Sequence, residues 1–123
     1  MRNETLLLRQ IHPDFVQNDR VTSQAFRPTP KDEKKLSVYD GDMIEAPEAY
    51  EHYTQELKLK SVGVMGVTVG ECTALGLYCQ PDPEPFPEHA IIDFGNLAER
   101  AIVKKAKLLK KKATGRGWLY REG

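Results

Sequence analysis

Between Ala98 and Ala113 the apolar residues Ala98, Ile102, Ala106, Leu109 and Ala113 recur at helical spacing, while Arg100, Lys104, Lys107 and Lys111 fall on roughly the opposite side. A helix that is apolar along one stripe needs a surface to cover, so the rest of the chain must supply a sheet or further helices. Asn96 is placed to cap this helix, with Glu99 three residues on as the second half of a capping box. Gly115 is placed at its end, where the preceding lysines suit the negative pole of the helix dipole.

The surface for that helix comes from short strand-like runs. The spacing predicts a first strand over residues 5–11, ended by Pro13, a turn at Asn18-Asp19-Arg20, and a second strand over 21–26 closed by Pro28 and Pro30. Residues 31–35 read as a charged loop, 36–39 as a third strand, and Asp40-Gly41-Asp42 as a turn. A helix starts near Pro47, with Ala49, Tyr50, Tyr53 and Leu57 as its apolar face. Residues 62–69 are the most strand-like stretch, and Gly63 and Gly66 within it signal a bulge or a close backbone approach.

A helical turn is expected over 71–75, closed by Gly76. Pro81, Pro83, Pro85 and Pro87 then impose a stiff extended segment, which suits either a rigid crossover or a docking surface for proline-recognition modules. Residues 89–94 form the last clear strand, and Trp118 and Tyr120 suit a short terminal strand or a plug on the core. With 123 residues, one domain spanning 1–123 is expected. Its class is α+β, with a mixed, mostly antiparallel sheet of about five strands. Two shorter helices and the basic C-terminal amphipathic helix complete it.

Charge divides the function classes. Eighteen basic and eighteen acidic residues cancel over the whole chain, which argues against a wholly basic nucleic-acid module. The balance is lopsided, however: residues 1–98 carry nine basic and sixteen acidic side chains, and residues 99–123 carry nine basic and two acidic ones. A body of net −7 and a tail of net +7 invite a protein partner or self-association. Lys104, Lys107 and Lys111 are the expected partner-binding residues. Nucleic acid ranks last because the body is acidic, and no aromatic is interleaved among the lysines to stack on single-stranded bases. The longest early apolar run, Leu6-Leu7-Leu8, is too short for a leader or a membrane span. Cys72 and Cys79 match no zinc or redox spacing. A reduced cytoplasmic location is therefore expected, although a single Cys72–Cys79 disulfide stays open.

Polar residues inside otherwise structural segments are the candidates for chemistry: Arg9, His12, Thr22, Ser23, Gln24, Arg27, Ser37, Asp40, His52 and Asp93. His89, Ile91 and Asp93 share one face of the last strand, so His89 could act as acid or base with Asp93 as its orienter. Arg9 and Arg27 would clamp an anion. His12 and Ser23 complete the catalytic candidates Arg9, His12, Ser23, His89 and Asp93, with Arg27 as the ligand-binding one. His12, His52 and His89 are the only histidines and no two have short ligand spacing, so no metal is assigned. No motif identifies a cofactor.

An early arginine, a strand-end serine and a short strand feeding an acidic helix follow the order of parts, though not the motifs, that resembles small NAD-consuming toxin domains of the ADP-ribosyltransferase type. That resemblance would implicate Arg9, Ser23 and Glu51. Two readings follow from the sequence. One is a small intracellular interaction protein. The other is a small enzyme or ligand-binding domain for a phosphate-bearing or nucleotide-like substrate, including an NAD-like one.

Overall fold

The computed structural model describes residues 1–29, 31 and 33–123. Pro30 and part of the 31–35 loop expectation lie outside them. The strands are β1 (Leu6–Gln10), β2 (Val16–Gln17), β3 (Arg20–Val21), β4 (Lys35–Asp40), β5 (Gly63–Thr68), β6 (Tyr78–Pro81), β7 (His89–Asp93) and β8 (Tyr120–Arg121). The helices are α1 (Ala46–Glu51), α2 (Val69–Ala74) and α3 (Glu99–Arg116), and α1 runs on into a wider π turn over His52–Glu56. Six strands form one antiparallel sheet in the order β6-β7-β4-β1-β5-β8. The α+β class and the C-terminal helix expected from the sequence are both present.

Alternation along the central strand sorts the two faces. Leu7 of β1 points with Leu36, Val38, Met65, Val67, Ala90 and Ile92 into a core that α3 covers with Ile102, Ala106, Leu109 and Ala113. Four of the five stripe residues read from the sequence are thus buried; Ala98, just before the helix, is exposed. Leu8, Tyr39 and Val64 face the other way and meet Ala49, Tyr50 and Tyr53. A three-layer packing follows, with α2 and α3 on one face and α1 on the other.

Three local expectations change. Over 21–26 only Val21 belongs to a strand, and Ser23–Phe26 is a 3-10 turn. Asn18 and Asp19 both have positive φ (52° and 63°), which closes a tight two-residue hairpin pairing Val16 with Val21. The chain then coils to put Ala25 and Phe26, both fully buried, into the α3-side core. Second, α3 begins at Glu99 with Ala98 at the cap, because Asn96 belongs to the turn that the Asp93 side chain closes on the Gly95 amide at 2.8 Å. It ends at Gly117 (φ 93°), whose amide reaches Ala113 O at 3.0 Å, and Gly115 lies inside the helix. Third, Tyr78–Pro81 is a strand, so the prolines form a hairpin connection to β7 rather than a crossover.

The short α2 has a complete capping box: the Glu71 amide donates to Thr68 Oγ1 at 3.1 Å and the Thr68 amide to Glu71 Oε1 at 2.8 Å. The Lys105 ammonium, from α3, meets the Leu75 carbonyl at the opposite end. Among the described residues no helix is long and apolar enough to cross a membrane.

Candidate functional site

The α1 face of the sheet is incompletely covered. A cleft of about 340 Å³ remains between the π turn and the proline-rich hairpin connection, floored by Leu8, Gln10, Ser37 and Tyr39 and walled by Tyr53, Leu57, Phe86 and His89. The register explains who meets whom. Tyr39 stands opposite His89, and Ser37 opposite Ile91. On the pleated face Ser37 therefore comes within reach of the His89 ring.

The His89 ring is fixed at both nitrogens. Nδ1 lies 2.9 Å from the Asp82 carbonyl oxygen and 3.3 Å from Asp82 Oδ2. A carbonyl can only accept, so in the neutral ring Nδ1 carries the proton and Nε2 presents a lone pair. Ser37 Oγ lies 3.2 Å from that Nε2 and donates to it. Asp82 is brought there by the hairpin itself, whose first loop residue donates its amide to the His89 carbonyl at 3.0 Å. Serine, imidazole and carboxylate thus stand in the order that activates a hydroxyl nucleophile, a constellation defined by geometry and not by position in the chain. His89 is buried, and Ser37 is exposed to the cleft.

Aromatic rings surround this row. Phe86 packs on Tyr39, His52 and His89 with ring centroids 5.0, 4.7 and 5.1 Å apart. The Tyr39 hydroxyl is 2.7 Å from His52 Nδ1. Burial raises the Tyr39 phenol well above its usual range, and the neighbouring Tyr53, Glu88 and Glu56 add to this, so it keeps its proton and donates to His52. Beneath the cleft, Gln10 Nε2 donates to the Ala49 carbonyl at 3.0 Å, while its Oε1 is buried without a partner among the described residues.

The residues singled out from the sequence are dispersed. His89 and Arg9 both line the cleft, but Arg9 Nε donates to the Ala25 carbonyl at 2.7 Å and Nη1 to the Ser37 carbonyl at 2.9 Å. Arg27 pairs with Glu99 at 3.0 Å on the α3 side. His12 Nδ1 accepts the Asp14 amide at 3.0 Å, capping a 3-10 turn. Ser23 lies beside α3 with Lys107 and Lys111. Asp93 shares a sheet face with His89 but sits four residues along the strand, about 13 Å away, and serves the Gly95 turn. The carboxylate beside His89 is Asp82, which the proline-rich composition around it concealed. Glu51 is exposed on α1, on the sheet face opposite the one where Ser23 lies beside α3.

No three His, Cys, Asp or Glu side chains among the described residues converge as metal ligands. Compared with family models, with curated proteins and with solved structures, the chain matches none.

Proposed function

We propose that the chain is a small serine-dependent hydrolase acting on a compact, largely apolar ester or thioester held in the α1-face cleft. The observation that carries this reading is the Ser37–His89–Asp82 row, with Nε2 of His89 turned to the Ser37 hydroxyl at 3.2 Å. Ser37 Oγ attacks the substrate carbonyl and passes its proton to His89 Nε2, the leaving group takes that proton, and water then releases the acyl group by the same relay. Asp82 holds the ring through its backbone carbonyl and its carboxylate. Phe86, Tyr39 and Leu57 supply apolar walls for the acyl or alcohol portion. Tyr53, whose hydroxyl makes no hydrogen bond among the described residues, is the side chain in the same lining that can meet charge on the carbonyl oxygen. An acyl substrate fits better than a phosphate because Arg9 and Arg27 are engaged by carbonyls and by Glu99.

A fluorophosphonate probe and a p-nitrophenyl ester test the reading. Wild-type protein is expected to be labelled on Ser37 and to hydrolyse the ester. Ser37→Ala removes the labelling, and His89→Gln slows turnover by about 10²–10⁴-fold. Asp82→Asn loses less, since the backbone carbonyl still orients the ring. Labelling that persists in Ser37→Ala, or is absent from folded wild-type protein, overturns it.

A further inference from the structure

On the opposite face, a groove of about 880 Å³ separates the β2–β3 hairpin from α3. Arg20 stands on one wall, and Lys107, Lys110 and Lys111 stand on the other. None of these four has an ion pair or hydrogen bond from its side chain among the described residues. Four other arginines, by contrast, are neutralised within the chain: Arg2 by Asp42, Arg27 by Glu99, Arg116 by Glu71 and Arg121 by Asp19, each within 3.0 Å. The groove lining contains no carboxylate, and Asp19, the acid in the adjoining hairpin turn, is held by Arg121 at 2.7 Å. Ser23 and Thr114 add hydroxyls beside the cations.

We propose that this groove binds the phosphodiester backbone of a nucleic-acid duplex without reading its bases. The cations are strung along α3 rather than gathered round one point. Lys107 and Thr114 are seven residues apart, about 10 Å along the helix axis, and exposed Lys104 continues the line. That arrangement suits a run of phosphates better than a single one. A protein partner would need apolar or aromatic anchors at the centre of the contact, where lysine is depleted. The groove offers only Val21, which is buried. Base stacking has no platform either. Trp118, at the neighbouring end, packs against Gly63 on one side, where an added Cβ would lie 2.8 Å from its ring. Its ring also carries the Arg121 guanidinium, 4.9 Å from the centroid. Contacts confined to phosphates leave bases in their own stack, which a duplex permits at no cost.

Fluorescence anisotropy with a labelled duplex of about 20 base pairs tests this, in about 50 and about 200 mM salt. Four phosphate contacts predict a log–log salt slope of about −3.6, so affinity should drop about 150-fold across that range. Two duplexes of unrelated sequence should bind equally. Lys107→Gln/Lys111→Gln, two exposed changes checked for an unaltered melting temperature, should reduce the slope by about two. Ser37→Ala should leave binding unchanged. Failure to bind at the lower salt, or unchanged binding by the double variant, overturns the proposal. So does equal affinity for polyglutamate, which would give the groove to an acidic protein. A salt-sensitive dimer lost in the double variant would give it to a second copy of the chain.

Discussion

Arg116 and Glu71 join the last turn of α3 to the first turn of α2: Arg116 Nη2 lies 3.0 Å from Glu71 Oε2, while Glu71 Oε1 accepts the Thr68 amide at 2.8 Å. One carboxylate caps one helix and anchors another. Partial burial alone would raise its pKa, but the hydrogen bonds from Arg116 and Thr68, with the Arg116 charge, hold it below the ordinary glutamate value.

A carboxyl whose folded pKa is depressed stabilises the protein above its unfolded pKa, and that contribution is lost as pH falls through the folded value. Glu71→Gln is therefore expected to cost about 1–2 kcal/mol at neutral pH, through the lost ion pair and weakened cap. Urea denaturation should show wild type and variant converging as the pH drops below about 4. A constant difference from neutral to acid pH would contradict the assignment.

Gly63 marks the place where β8 joins the edge of the sheet, paired with Arg121. A Cβ there would lie 2.5 Å from the Tyr120 carbonyl oxygen and 2.8 Å from Trp118. Gly63→Ala should destabilise by about 1–3 kcal/mol, as overpacking does. Loosening of β8 from β5 should shift tryptophan emission to the red. An unshifted spectrum with unchanged stability would show that the neighbours give way freely.

Cys72 and Cys79 are both free thiols, one buried in α2 and the other half-buried on β6. Their mutual hydrogen bond lowers the pKa of Cys79, against the opposing effect of its burial, and raises that of Cys72, where burial adds to the rise. Iodoacetamide followed by mass spectrometry should modify Cys79 well before Cys72. Cys72→Ala should slow the Cys79 reaction, since the donor that favours its thiolate is gone; an unaltered rate would deny the contact.

Much of the fold was legible because its signals are local. The α3 stripe survives as Ile102, Ala106, Leu109 and Ala113, and the valine-rich run became β5 with its two glycines at close approaches to Trp118 and Leu119. The 3-10 turn at Ser23–Phe26 was hidden because a short run between the turn at 18–20 and Pro28 also suits a strand; tertiary burial of Phe26 decides between them. The cleft was the least legible part. Its decisive pairing joins Ser37 to a histidine 52 residues later, and depends on strand register that no local pattern encodes. His89 was visible as a polar residue in a strand. Asp82 was masked by the prolines around it, and Asp93 was favoured by face alone.

The two outer strands carry a consequence for assembly. At one margin β6 closes on Pro81, with Pro83, Pro85 and Pro87 following, and at the other β8 has only two residues. Proline supplies no amide to a new neighbour, and a two-residue strand offers almost no ladder to extend. The sheet is thus guarded against edge-to-edge growth at both margins, so crowding copies of this chain together gives them little backbone ladder to share.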